Sequence, residues 1–148
     1  MAAETFKIIT PSTEQELQVY YHTRWEVLRK PWGQPPGTER SNTDDDPIHR
    51  MIVGDNEEIY AVGRIHFNSL EQSQIRYMGV TSNKRRGGWG SVMLMDLENI
   101  AVKNNCNEVI LQSRDYAIPF YEANGYVIIK KTYLLFGEIQ HYLMKKSL

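Results

Sequence analysis

The sequence predicts one α/β domain over residues 1–148, built on a mixed, mostly antiparallel sheet of six or seven strands with helices on both faces. Three observations carry this. Two segments repeat apolar residues at helical spacing, the first from Leu17 to Leu28 and the second from Trp89 to Ala101. Three extended runs between them are separated by turn residues, as in an antiparallel meander. The second helix lies between two strands, an order that implies a right-handed crossover joining parallel neighbours.

Taken in order, Phe6-Lys7-Ile8-Ile9 alternates as a short first strand, broken by Pro11-Ser12. Ser12 with Gln15 reads as a capping box. Leu17, Tyr20, Tyr21, Arg24, Val27 and Leu28 then recur on one face of a helix of about five turns, which Pro31 stops. Residues 31–47 contain four prolines and no periodicity, so they form a long irregular loop with room for one helical turn. Loops of this length are often functional covers. Extended runs follow at 49–53, 59–67 and 74–80, punctuated by Gly54-Asp55-Asn56 and Asn68-Ser69. The second helix ends at Asn104-Asn105, and residues 108–112 form a buried strand. Asp115 can cap a short helix whose first turn accepts Pro119 and whose end is marked by Asn124-Gly125. Residues 126–136 and 141–145 complete the sheet, and neither a repeat nor a linker is found.

Composition excludes several classes. With 41% apolar and 24% charged residues the chain is neither a disordered tail nor a membrane protein. It has no apolar run of about 18 residues. A net charge of −1 gives no global attraction to nucleic acid or to an anionic membrane, so any basic site must be local. The single cysteine, Cys106, rules out an internal disulfide framework and is expected to pack at the start of its strand. The residues from Met1 to Phe6 lack the basic and apolar regions of a signal peptide, which makes the cytoplasm the expected compartment.

The chemistry concentrates after the third extended run, where Thr81-Ser82-Asn83-Lys84 leads into Arg85-Arg86-Gly87-Gly88-Trp89-Gly90 and the second helix. Glycines here let backbone N–H groups turn inward at a helix N-terminus, where the dipole favours a phosphate. The same glycines would also suit a tight turn that needs only their dihedral freedom. Three adjacent cations, Lys84, Arg85 and Arg86, favour the anion cradle. The spacing is neither that of a Walker A loop nor that of a dinucleotide fingerprint.

Arg85-x-x-Gly88-x-Gly90 resembles the pyrophosphate-binding signature of the GNAT superfamily of acyl-CoA-dependent N-acyltransferases. Downstream, Phe120-Tyr121-Glu122-Ala123-Asn124-Gly125-Tyr126 is similar to that family's second signature. Arg24-Trp25-Glu26-Val27-Leu28-Arg29 and Phe136-Gly137-Glu138-Ile139-Gln140-His141 also resemble its ElaA-like branch of small bacterial members. Arg86, Gly87 and Trp89 depart from the usual residues at their positions.

The resemblance implies a splayed parallel strand pair with the pantetheine arm of acetyl-CoA lying between as a pseudo-strand. It implies a cofactor-binding set of Met78, Gly79, Val80, Arg85, Arg86, Gly87, Gly88, Trp89, Gly90, Ser91 and Asp115, with a bulge at Gly79. It implies that Tyr121 protonates the departing thiolate. The expected reaction moves acetyl from acetyl-CoA to a primary amine, without a metal. An acyl-CoA sensor without turnover is the alternative. The acceptor's proton needs a base, for which Glu26, His49, His66 and His141 qualify by residue type. Arg64 or Arg76 could attract an acidic group of the acceptor, whereas Asp44-Asp45-Asp46 lacks calcium-loop spacing and reads as a solvated loop. Neither nucleic acid nor membrane is an expected partner, and a homodimer is left open.

Overall fold

The computed structural model describes residues 5–148, so the start of the stretch read for signal features lies outside the described residues. Its seven strands are β1 (Phe6–Ile9), β2 (Ile48–Gly54), β3 (Ile59–Phe67), β4 (Gln72–Val80), β5 (Glu108–Arg114), β6 (Val127–Leu135) and β7 (Ile139–Ser147). The helices are α1 (Glu14–Leu28), α2 (Trp89–Lys103) and α3 (Ile118–Ala123). The strands form one sheet in the order β1-β2-β3-β4-β5-β7-β6, and β4 and β5 pair in parallel from Gln72–Glu108 to Ile75–Leu111. The mixed α/β fold and its parallel pair are therefore as predicted.

By contacts the chain divides into two compact units, one made of Met1–Ile65 with Tyr77–Leu97 and the other of His66–Arg76 with Glu98–Leu148. In the first unit α1 opens with a capping box one residue later than the predicted Ser12 and Gln15. Thr13 Oγ1 accepts the Glu16 N–H at 3.1 Å, while Glu16 Oε1 accepts those of Thr13 at 3.1 Å and Ser12 at 3.0 Å. A carboxylate serves both amides and suits the positive end of the helix dipole better than a neutral Gln15 would. The helix is 15 residues long, roughly four turns rather than five, because the chain tightens into a 3₁₀ turn at Lys30–Trp32 around Pro31.

Tyr20, Tyr21, Met51, Val53 and Val62 form the core beneath α1, joined by Ile9, Leu17 and Ile59. The first part of α2 packs on β3 where Gly63 leaves room, since a Cβ there would lie 2.9 Å from Leu97 Cδ1 and 3.1 Å from Met93 Sδ. Arg50 of β2 adds a two-pronged ion pair to Asp96 of α2, at 2.8 and 3.0 Å.

The second unit is an antiparallel β5-β7-β6 set with α3 and the end of α2. Val109, Leu111, Tyr126, Ile139 and Met144 are buried, and so is Cys106, as expected. Glu98 of α2 accepts the Tyr126 hydroxyl at 2.8 Å and pairs with Lys146 at 3.2 Å. Asp115 does not cap α3. A 3₁₀ turn, Asp115–Ala117, intervenes, so the carboxylate instead accepts the Tyr116 N–H at 2.8 Å. Gly125, at φ +95°, supplies the predicted left-handed exit from α3.

Candidate active site

In the first unit, β4 leads through a 3₁₀ turn at Ser82–Lys84 into the glycine-rich loop, and α2 begins at Trp89. Two loop residues have left-handed backbone, Arg86 at φ +66° and Gly88 at φ +84°. A Cβ on Gly88 would meet no atom within 4 Å beyond its chain neighbours, so the turn borders open space there. Gly87 has a different duty, since its Cβ would lie 3.1 Å from the Trp89 ring. That indole is wedged 4.6 Å from Tyr60 and 4.9 Å from Phe6, fixing the start of α2 with an aromatic anchor.

The three loop cations separate in space. Lys84 lies 4.3 Å above the Tyr60 ring and 4.0 Å from a Glu58 carboxylate oxygen, while Arg85 and Arg86 are exposed. The cationic face of the loop therefore belongs to the two arginines.

The preceding strand breaks its extended geometry at Tyr77, where φ is +53°, two residues before Gly79. Gly79 is glycine for a steric reason: a Cβ would fall 2.6 Å from Val27 Cγ1 and 3.3 Å from Leu28 Cδ2 of α1. The Tyr77 ring lies against a buried charged cluster. Arg24 of α1, fully buried, donates from Nη1 to both carboxylate oxygens of Asp44 at 3.2 Å and from Nη2 to the Tyr20 hydroxyl at 2.8 Å. Arg64 of β3 donates to the same Asp44 at 2.7 Å. Around the Tyr77 ring the guanidinium carbons of Arg24, Arg64 and Arg29 lie at 4.3, 5.3 and 5.8 Å.

Asp44 is thus a keystone rather than part of a solvated acidic loop. Burial works against its charge, but the Ser41 N–H at 2.7 Å and the guanidinia of Arg24 and Arg64 outweigh burial and lower its pKa. The loop 31–47 is pinned to α1 at three further carbonyls: Trp25 Nε1 donates to Gln34 at 2.9 Å, Arg29 Nε to Thr38 at 3.1 Å and Arg24 Nη1 to Glu39 at 3.2 Å. Arg24 on the otherwise apolar face of a predicted helix and Arg64 in a predicted central strand were the sequence signals of this cluster; their partner Asp44 had none, because it lies 20 residues from each.

The candidate bases scatter. His49 is buried with both ring nitrogens engaged, Nε2 on the Asp44 carbonyl at 2.7 Å and Nδ1 on the Tyr20 hydroxyl at 2.8 Å. Since a carbonyl only accepts, Nε2 carries the proton and Nδ1 the lone pair. Burial, reinforced by Arg24 and Arg64, lowers its pKa and keeps it neutral. Tyr20 beside it is pushed up to about 12, chiefly by burial. Glu26 is exposed on α1, 3.8 Å from His22. Arg64 is spent on Asp44 in the interior, and Arg76 is exposed.

In the second unit Tyr121 of α3 is buried, edge-on to Phe120 at 5.0 Å and to Tyr126 at 5.7 Å. Burial raises its phenol pKa above the usual value, against a smaller opposing effect of Arg114. The phenol is therefore protonated at any ordinary pH. His141 of β7 is buried, donates from Nδ1 to the Ile139 carbonyl at 3.0 Å and stacks on Tyr133 at 4.4 Å. His66 is half-buried near the end of β3.

The model of the acetyltransferase (GNAT) family matches residues 17–126, from α1 through the end of the second signature. The chain belongs to this family. As a GNAT acetyltransferase it is an enzyme, and its relatives are of its own size. YjcF of Bacillus subtilis (strain 168), an uncharacterized N-acetyltransferase, is 25% identical over 141 residues, 95% of this chain and 99% of YjcF. Among solved structures, Escherichia coli ElaA has a TM-score of 0.78 at 21% identity, covering 97% of this chain and 99% of its own. A GNAT acetyltransferase of Elizabethkingia anophelis with acetyl-CoA bound has a TM-score of 0.71 at 13% identity, with 98% of each chain covered. At these identities the two structures speak for the fold.

Proposed function

We propose that this GNAT acetyltransferase acts as a single catalytic domain that moves an acetyl group from acetyl-CoA to the primary amine of a small molecule or peptide, by direct attack through a tetrahedral intermediate. The observation that carries this reading is the open left-handed turn at Gly88, immediately before α2, with Arg85 and Arg86 exposed beside it. Such a turn offers unpaired backbone N–H groups, a favourable dipole and two cations to a pyrophosphate. Gly90 and Ser91 extend the donor set into the first turn of α2. Gly87 and Trp89 support it from beneath through their packing.

Main-chain groups of Met78, Gly79 and Val80 would bond the pantetheine amides, with an N–H of this edge facing the thioester oxygen as negative charge develops. Asp115 would serve the cofactor from the turn before α3. The neutral amine attacks the thioester carbonyl, the C–S bond breaks, Tyr121 gives its proton to the departing thiolate, and the proton that the acylated nitrogen sheds returns through water to the phenolate. Burial keeps the phenol protonated but also makes it a weaker acid, so its donation depends on the sulfur coming within hydrogen-bonding distance. The chain has no helix long and apolar enough to cross a membrane among the described residues, and the cytoplasm is the proposed compartment.

Titration calorimetry with acetyl-CoA, followed by a screen of amines, peptides and aminoglycosides for release of free CoA thiol, tests the proposal. Binding with turnover of one acceptor class is the expected result. No binding would overturn the reading, and binding without turnover across the screen would point to an acyl-CoA sensor.

A further inference from the structure

Tyr77 is a non-glycine residue held at positive φ within β4, two residues before Gly79. Such backbone persists where its surroundings over-determine it. Here the surroundings are unusual: three guanidinia around one ring, two of them fully buried and tied to one carboxylate. Arg24 and Arg64 close on Asp44 at 3.2 and 2.7 Å, which fixes both guanidinia in the interior. The faces of Tyr20, Tyr21 and Tyr77 lie 5.1, 5.0 and 4.3 Å from the Arg24 guanidinium carbon, close enough for each ring to attract the cation. The Tyr77 ring is thus attracted to a fixed cationic seat, and its backbone follows.

We propose that Arg24, Arg64 and Asp44 are positioning residues for the reaction: they grip the Tyr77 ring, hold the left-handed break in β4, and so set the edge Met78–Val80. Asp44 makes this grip depend on the loop 31–47, because its carboxylate is the loop group that both arginines share and its carbonyl anchors His49. The assignment of that edge to pantetheine rests on the acetyltransferase reading above; the hold on the strand does not.

Two measurements separate the two. Amide hydrogen exchange of the ligand-free protein reads the hold directly: Asp44→Asn should speed exchange of the amides at 78–80, and unchanged protection would overturn the proposal. Calorimetry then compares acetyl-CoA with the pantetheine-free nucleotide half of CoA. Asp44→Asn should weaken only acetyl-CoA and lower kcat by about 10²-fold, as misplacement of a reacting group by an ångström does. Equal losses for both ligands would mean general damage and overturn it. In a double-mutant cycle Asp44→Asn should add nothing to Tyr77→Ala, and additive losses would show that the ring is not the link. Should Asp44→Asn fail to fold, Asp44→Asn with Arg64→Met keeps the buried net charge of the native cluster and serves in its place. A wild-type protein that binds no acetyl-CoA, with exchange at 78–80 still answering to Asp44, would sink the acetyltransferase reading and leave the hold on β4 standing.

Discussion

Gly79 of β4 and Val27 of α1 are in such close contact that a Cβ on the glycine would lie 2.6 Å from Val27 Cγ1. The distance between helix and strand is set there by an absent side chain. Gly79→Ala should therefore cost about 1–3 kcal/mol of stability by overpacking, read as a lower melting temperature. Combining it with Val27→Ala should restore most of the loss. A tolerated Gly79→Ala would show that α1 yields, and that the edge at Val80 is not fixed by this contact.

Gly88 presents the opposite case, with left-handed backbone and empty space at its Cβ position. Gly88→Val should disfavour the turn by roughly 1–2 kcal/mol and also fill the space where phosphate oxygens approach. Calorimetry should find acetyl-CoA affinity down by tenfold or more. Unchanged affinity would assign the glycine to the fold alone.

Tyr121 can be tested with one atom. Tyr121→Phe keeps the ring contacts with Phe120 and Tyr126, so the melting temperature and acetyl-CoA affinity should hold. Removal of a general acid should lower kcat about 10²–10⁴-fold on an acceptor found in the screen. Full activity would reduce Tyr121 to a packing residue, with the proton coming from elsewhere.

His49 sets an acid limit. Its pKa is lowered in the folded chain by burial, so below the ordinary imidazole value of 6.5 the unfolded chain takes up a proton that the folded chain does not. Stability should be level above that pH and fall as pH drops below it. Asp44 adds a second loss at lower pH: its depressed pKa contributes stability above the ordinary value of 3.8 that disappears as pH falls through the folded value. In His49→Gln, whose amide can still donate to the Asp44 carbonyl, the first decline should vanish while the second remains. Melting curves between pH 8 and pH 3 would separate the two, and a wild-type curve flat to pH 5 would contradict the assignment.

What the sequence by itself determined was local. Period, breakers and glycine positions fixed the two long helices, the succession of strands along the chain and the loop before α2. Two short signatures, read with that order, were enough for the family. Even so, local signals misplaced what depended on competition between neighbours. The cap fell on Thr13 and Glu16 because a charged carboxylate outcompetes an amide, and Asp115 lost its capping role to an intervening 3₁₀ turn.

Tertiary structure alone decided the rest. Nothing near Asp44 in the chain announces that two arginines 20 residues away on either side will close on its carboxylate, or that Tyr77 will be bent to meet them. Likewise, neighbouring Lys84, Arg85 and Arg86 look equivalent in sequence, yet Tyr60 and Glu58 draw only the first away from the loop. Periodicity reports which face of an element is apolar, since that is a property of spacing along one chain segment. The partners of a buried charge come from distant segments, so its desolvation is offset only once the fold has brought them together.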